Sequence, residues 1–598
     1  MSKKSRRRRI EKWVLIWLLC NAVFIAVFLF LQFSKYRKTL EEERVQMRMI
    51  QGENREIWDG KYDRELAVTC DNGTFVGQEE NSVRSFKGIP YAMPPTGSLR
   101  WKRSVDAVPD SGVYEAYYFG KSGIQTEADT ERASLYPQGE DCLTLNIWTG
   151  SSAPEDSDPR AVMVFFPGGG YGWGGTADPL YNGQHFAEVH NDIVLVTVNY
   201  RIGLMGFIDF SEVEGGEAFE ESGNLGLLDQ ISALRWIRRN IAGFGGDPDN
   251  ITIFGESAGG SSVSFLPLIG EVRGLFRRVI AQSGSLAFSF SREECRTLTG
   301  MLMKETKAAS MKDLMALSEE DLMRVNEKLN DYNNFPERDG IILPEDVYDA
   351  YASGAASWAE MLTGTNADEA RYWIHEVGGY PVYRLGGRLL YGSIRERLDP
   401  EDRAFADAFL ALQTEETIWG MTEFLNDLVF RIPAVRQAEL HSENGGTHYM
   451  YYWTKESDIE HYGACHAVEL SYVFNNLDDT IFTGKPADAS LAETVQEMWV
   501  NFAKTGDPSA GEYIWEKYDA KSRQTMFLGD EIRLVSDPLP QQRILIEPLL
   551  KYRINGYYKS TDYALIYLRN RILRTFLILL GINAVVYLVY RLRRKKKR

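Results

Sequence analysis

Cysteine and histidine are scarce in this chain, and basic residues are scarce through most of its length. Five cysteines (Cys20, Cys70, Cys142, Cys295 and Cys465) are spread over 598 residues with no CxxC and no paired Cys/His spacing. That excludes a zinc-ligand pattern and an evident disulfide framework. There is no internal repeat. A composition of 44% hydrophobic and 12% aromatic residues excludes a disordered polymer. Residues 39–568 hold 47 Lys/Arg against 83 Asp/Glu, a net charge of −36. A body that acidic repels phosphates, so nucleic acid is not expected as a partner.

The missing bases sit at the ends. Residues 1–38 carry ten Lys/Arg and one acid, Glu11, and residues 569–598 carry ten Lys/Arg and no acid. Each basic end adjoins an apolar run. Trp13 to Phe33 is 21 residues long and uncharged, enough at about 1.5 Å per residue to cross roughly 30 Å of hydrocarbon. A cleaved signal peptide fits less well, because Phe33-Ser34-Lys35-Tyr36-Arg37 has no small-x-small site. Ile572 to Tyr590 contains one charge, Arg574, near its edge, where it can snorkel; a buried or interfacial helix is the alternative for this shorter run. Seven bases precede the first run and three follow closely; three precede the second and seven follow. Both biases place the chain ends in the cytoplasm and the acidic body outside it.

Length alone allows about four domains, yet no linker is visible between Leu66 and Arg553. The expected order is a basic tail (1–12), a transmembrane helix (13–33), a charged, helix-prone stalk (34–65), one large body (66–553), a juxtamembrane segment (554–571), a second transmembrane helix (572–590) and a basic tail (591–598). Within the body, β-branched runs alternate with helical stretches, the pattern of an α/β protein. Val162 to Phe166, Ile193 to Asn199 and Ile251 to Phe254 read as strands. In 226–239, Leu227, Leu228, Ile231, Leu234 and Ile237 recur at helical spacing.

The strand-like Ile251 to Phe254 runs into Gly255-Glu256-Ser257-Ala258-Gly259-Gly260. A strand turning sharply into a helix needs small residues around a nucleophilic serine, and it aims a helix N-terminus at any oxyanion formed there. Ser257 is therefore the candidate nucleophile. A serine hydroxyl needs a base and an oxyanion hole. Pro167-Gly168-Gly169-Gly170 follows another strand and can present bare N–H groups, with no GxxxxGK[ST] or GxGxxG pattern to make it a phosphate loop. The N–H of Ala258 would add a further donor. Of seven histidines, His185 and His190 precede the serine, contrary to the hydrolase order of serine, acid, histidine. Among the others, His466 sits in a short loop entering a helical pattern, with His461 as its nearest competitor.

At this point the chain resembles the type-B carboxylesterase/cholinesterase family of α/β-hydrolases, over about residues 66–550. The resemblance rests on Phe86 to Ala92, Leu99-Arg100-Trp101, Glu140 to Ile147, Asn199-Tyr200-Arg201, Gly223 to Gln230 and Phe244 to Pro248, in the family's order. It implies an α/β-hydrolase fold with a mostly parallel central sheet flanked by helices; here a transmembrane helix is expected at each end. It also implies that the acid is Glu369, in Gly364-Thr365-Asn366-Ala367-Asp368-Glu369, and that the histidine is His466, in the stretch from Gly463 to Phe474. Oxyanion donors map to Gly169, Gly170 and Ala258, and Ser283 maps to a serine that supports the acid. No metal or organic cofactor is implied.

The departures carry information too. Pro167 stands where the family often has histidine, and Ser122 to Gln125 lacks the cysteine that would partner Cys142. No tryptophan lies between Gln125 and Cys142, so the aromatic choline site is missing there and cholinesterase activity is not expected. The expected function is a membrane-anchored serine carboxylesterase acting on small-molecule esters through an acyl-enzyme. The alternative is a catalytically silent adhesion or scaffold protein on the same fold. A lipase-like role is a variant of the first. Tyr171, Trp173 and Phe288 either border the pocket or pack in the core. Nothing in the sequence sets an oligomeric state.

Overall fold

An eleven-stranded sheet organises the molecule. In chain order its strands are β1 (Gln78–Glu80), β2 (Val83–Pro90), β3 (Thr144–Gly150), β4 (Arg160–Phe166), β5 (Ile193–Val198), β6 (Gly246–Glu256), β7 (Arg278–Gln282), β8 (Glu360–Asn366), β9 (His448–Trp453), β10 (Thr525–Leu528) and β11 (Arg533–Val535). Across the sheet the order is β11-β10-β9-β8-β7-β6-β4-β5-β3-β2-β1. From β10 to β5 every neighbouring pair is parallel. The outer strands β1, β2, β3 and β11 pair antiparallel. This is a computed structural model of the chain, and it describes residues 34, 37–128, 131–151, 159–329, 334–376, 380–413 and 417–554. Both apolar runs and both basic tails lie outside the described residues, as does all of the juxtamembrane segment except Ile554. Among the described residues no helix is long and apolar enough to cross a membrane.

The central strands are apolar at nearly every position because both faces are covered, as parallel sheets require. Along β4 the faces alternate: Val162, Val164 and Phe166 join the core on one side, and Ala161, Met163 and Phe165 join the core on the other. The first side is covered by the helix Leu225–Asn240, of which only Arg235, Arg238 and Arg239 escape burial. The second is covered by the helix Ala489–Thr505. The family-like motifs have physical roles here. Arg201 grips Asp229 through two guanidinium hydrogen bonds of 2.7 Å, both side chains buried. Arg100 does the same to Glu140, at 2.5 and 2.6 Å. Each buried pair joins two motifs distant in sequence.

Cys70, Cys142, Cys295 and Cys465 are all free and buried. Within the segment read as a stalk, residues 37–49 are helical. That helix lies against the body, with Met47 fully buried among Leu135, Tyr136 and Ala177.

Candidate active site

β6 ends at Glu256, and the helix Ala258–Phe265 begins two residues later. Ser257 between them is held at φ 57°, ψ −118°, a region that side-chain-bearing residues rarely occupy. The flanking glycines are what make the turn possible. A Cβ on Gly259 would lie 1.9 Å from the Phe166 carbonyl oxygen, and one on Gly260 would lie 2.4 Å from that of Gln282. Neither space admits an alanine.

Glu369 stands just beyond the end of β8 and is fully buried. One carboxylate oxygen accepts from the Ser283 hydroxyl at 2.7 Å and from the Asn366 N–H at 2.8 Å. The other lies 2.5 Å from Nδ1 of His466. The sequence-based expectation thus meets in space at Ser283, Glu369 and His466. Asp368 next door is engaged elsewhere, pairing with Arg371 at 2.8 Å and accepting the Ala464 N–H. His461 is also elsewhere, beside Glu460 and stacked on Tyr380.

Nε2 of His466 faces the Glu256 carboxylate at 3.1 Å. Among the described residues no hydrogen bond joins the Ser257 hydroxyl to His466, although Ser257 directly follows Glu256. Burial pulls the His466 ring down, but the Glu256 and Glu369 carboxylates outweigh it and hold the ring up at about 9. Burial, with help from the Glu469 and Glu369 charges, pushes the Glu256 carboxyl well above the ordinary range against the opposing pull of His466. Burial likewise raises Glu469, whose oxygens accept from Asn366 Nδ2 at 2.6 Å and Gln282 Nε2 at 3.1 Å. Three buried carboxyls therefore surround one imidazole.

The glycine loop after β4 abuts this centre. Gly169 and Gly170 have φ of 99° and 58°, and the Gly169 carbonyl accepts from Gly172 and Trp173 at 3.0 and 2.9 Å. Among the described residues the N–H groups of Gly169, Gly170 and Ala258 have no protein acceptor. That is what an oxyanion hole requires of them. Gln125 fixes the loop's far side, donating to the Gly174 carbonyl at 2.9 Å and accepting its N–H at 3.0 Å.

Aromatic rings enclose His466. Trp373 stacks on it at 6.0 Å, Phe430 lies 5.0 Å away and Tyr372 lies 5.8 Å away. Phe288 packs on Phe430, so it belongs to this wall. Tyr171 is instead a core residue, packed on Phe207 with its hydroxyl 3.2 Å from Ser262 Oγ. Trp173 is half-buried in the glycine loop. Sequence reasoning assigned no role to Glu256, Glu469, Gln125, Trp373 or Phe430. Glu256 was signalled by its place in the serine motif and Glu469 by its place three residues after His466; Gln125 and Phe430 come from segments distant from all three catalytic candidates. Among the described residues no cluster of three or more His, Cys, Asp or Glu is placed to hold a metal ion.

A mostly parallel sheet that delivers a strained serine from a central strand, with acid and histidine following later strands, defines an α/β-hydrolase. The Carboxylesterase family profile matches residues 64–544. The para-nitrobenzyl esterase of Bacillus subtilis is 34% identical over 509 residues, spanning 80% of this chain and 98% of the relative. Acetylcholinesterase 1 of Caenorhabditis elegans is 29% identical over 521 residues, spanning 75% and 81%. The crystal structure of a Geobacillus stearothermophilus carboxylesterase superposes with a TM-score of 0.72 at 32% identity, covering 80% of this chain and 99% of that one. The chain belongs to the carboxylesterase family. It is an enzyme of the type-B serine hydrolases.

Proposed function

We propose that this protein is a membrane-anchored serine carboxylesterase that hydrolyses small-molecule carboxylic esters through an acyl-enzyme, with Ser257 as nucleophile, His466 as general base and acid, and Glu369 as the group that orients His466. The observation that carries this reading is the buried Ser283–Glu369–His466 chain beside a serine on a strained strand-to-helix turn. In the resting arrangement the His466 ring lies between two carboxylates, Nδ1 against Glu369 at 2.5 Å and Nε2 3.1 Å from Glu256, which together favour its protonated form. Once that proton is lost, Nε2 has a lone pair and can turn to the neighbouring Ser257 hydroxyl, taking its proton as Oγ bonds to the ester carbon. The N–H groups of Gly169, Gly170 and Ala258 receive the oxyanion. Collapse breaks the ester bond, and the alcohol leaves with the proton from His466. Water then repeats the sequence and releases the acid.

Two features support the anchoring part: the uncharged run from Trp13 to Phe33 and the nearly uncharged run from Ile572 to Tyr590, each with its larger basic cluster on the terminal side. The silent-scaffold alternative is not favoured, since serine, acid and histidine are all retained. Because the Bacillus relative is a para-nitrobenzyl esterase, aryl and arylalkyl esters are the first substrates to try. Ser257→Ala should lower their hydrolysis by about 10⁴-fold or more and abolish labelling by an active-site phosphonate. A folded Ser257→Ala protein with native turnover overturns the proposal.

A further inference from the structure

The helix of residues 37–49 lies outside the family match, which begins at residue 64, yet it is built onto the catalytic body. Met47 is completely buried against Leu135, Tyr136 and Ala177. Arg44 pairs with Glu127. The chain that follows is stitched down as well. The Asn54 side chain donates to the carbonyls of Lys87 and Tyr118, both at 2.9 Å, and accepts the N–H groups of Tyr117 and Tyr118 at 2.8 and 3.0 Å. The Ile57 N–H donates to the Val113 carbonyl at 2.7 Å, and the Glu115 N–H donates to that of Arg55 at 2.8 Å. A Cβ on Gly52 would lie 2.4 Å from the Tyr118 ring, so the chain crosses that ring with no room for a side chain.

The surfaces this segment holds lead straight to the oxyanion loop. Ala177, under Met47, lies three residues beyond Gly174. Glu127, the partner of Arg44, lies two residues beyond Gln125, whose amide clamps Gly174 by two hydrogen bonds. Gly174 in turn is packed on Gly168, since a Cβ there would lie 2.4 Å from the Gly168 carbonyl oxygen. Gly168 leads directly into the Gly169 and Gly170 donors. Two short paths therefore join one helix to one loop.

We propose that the N-terminal helix is a positioning element for the oxyanion hole, in which Met47 and Arg44 hold the Gln125–Gly174 clamp and through it set the N–H groups of Gly169 and Gly170. The inference rests on the esterase reading above. Donors to an oxyanion act only in the transition state, so loosening them lowers kcat while leaving KM nearly unchanged. Displacement of about 1 Å in such a group can cost up to ~100-fold, so partial release of the clamp should cost roughly tenfold.

The test uses the full-length chain. Met47→Asp puts a carboxylate against Leu135, Tyr136 and Ala177 and undocks the helix. Arg44→Glu opposes Glu127 at a partly exposed pair and does not threaten the core, so it serves if the first variant fails to fold. Adding Glu127→Arg to it restores the pair with reversed sign. Each protein is normalised by phosphonate titration and assayed for kcat, KM and affinity for an aryl trifluoromethyl ketone. That ketone takes up Ser257 Oγ at its carbonyl carbon, passes the hydroxyl proton to His466 and leaves an oxyanion facing the loop. The expected result is a roughly tenfold fall in kcat and an equal fall in ketone affinity for Met47→Asp, with a smaller parallel fall for Arg44→Glu that the swapped pair reverses. Unchanged kcat and ketone affinity per titrated site overturn the inference, even if thermal stability falls. A native chain that neither takes the phosphonate nor binds the ketone would instead overturn the esterase reading itself.

Discussion

At the scale of single residues, the Glu256 carboxylate, 3.1 Å from His466 Nε2, should set the pH at which His466 serves as the proposed base. The Glu256 and Glu369 carboxylates hold the His466 ring up, to about 9, against the effect of burial, and the imidazolium they favour has no lone pair to accept the serine proton. The acid limb of kcat/KM should therefore rise through about 9. Glu256→Gln removes one of the two charges that favour the imidazolium. The limb should move to lower pH, and hydrolysis at pH 7 should increase relative to the plateau. A pH–rate profile of the two proteins checks this; an unmoved limb would mean that Glu256 does not share the His466 proton. The same residues show how much of the site was legible. Ser257 declares itself through small neighbours, because only glycine fits at 259 and 260. Glu369 and His466 did not declare themselves by chemistry alone, since adjacent Asp368 and nearby His461 are of the same type; it was the resemblance of their segments to the family that singled them out. What separates them is burial and partners: Asp368 faces Arg371, whereas Glu369 faces Ser283 and His466. That distinction is made across the sheet, so residue type alone does not show it.

At the scale of elements, the apolar strands were legible and the polar half of one strand was not. The reading of Ile251 to Phe254 covers only the end of β6, which starts at Gly246. Gly246 to Asn250 (Gly-Asp-Pro-Asp-Asn) has turn chemistry; the strand reaches back to it because Gly246 pairs with Arg160 of β4, and the register shift before the next pair, Val162 with Ile251, takes up the residues between. Another feature no periodicity reveals is a buried histidine pair joining three elements: Thr363 of β8, His448 of β9, and His441 of the helix Ile432–Glu443. His441 Nε2 faces the Ala356 carbonyl at 3.2 Å and so carries the proton, which leaves its Nδ1 to accept from His448 Nδ1 at 3.1 Å. His448 Nε2 then accepts from the Thr363 hydroxyl at 2.8 Å. No site remains for a second proton without breaking this chain. Burial lowers His441 from 6.5 to about 4 and takes His448 well below 6.5. Both rings fold neutral, so the unfolded chain binds more protons below pH 6.5. Stability should be unaffected by this pair above 6.5 and be lost as pH falls from about 6.5 towards about 4, at ~1.4 kcal/mol for each tenfold change in proton affinity. Thermal unfolding at pH 7.5 and pH 5 should show a smaller acid loss in a His441→Gln/His448→Gln protein than in the native chain. Equal losses would sink the assignment.

At the scale of the whole molecule, charge and chain direction should act together. The body of −36 lies between two terminal clusters of ten bases each, and it is held at both ends. The helix of 37–49 is docked through Met47, and Ile554 is buried with the helices Tyr380–Arg397, Arg403–Leu412 and Thr417–Asn426. The described chain therefore begins and ends at segments packed on the body. A body of that charge is repelled by the anionic cytoplasmic leaflet, whereas Lys/Arg clusters next to a span are retained on the cytoplasmic side. Both effects favour one topology: termini inside, body outside. In intact cells, added protease should reach sites within residues 39–568 while epitopes placed before residue 12 and after residue 590 stay shielded until the membrane is opened. Release of the body by salt or carbonate washing should fail if the proposed attachment by two apolar spans holds, because such attachment is not electrostatic. A body protected in intact cells would overturn the orientation, and a body washed off by carbonate would overturn the anchoring, in either case without touching the chemistry of Ser257.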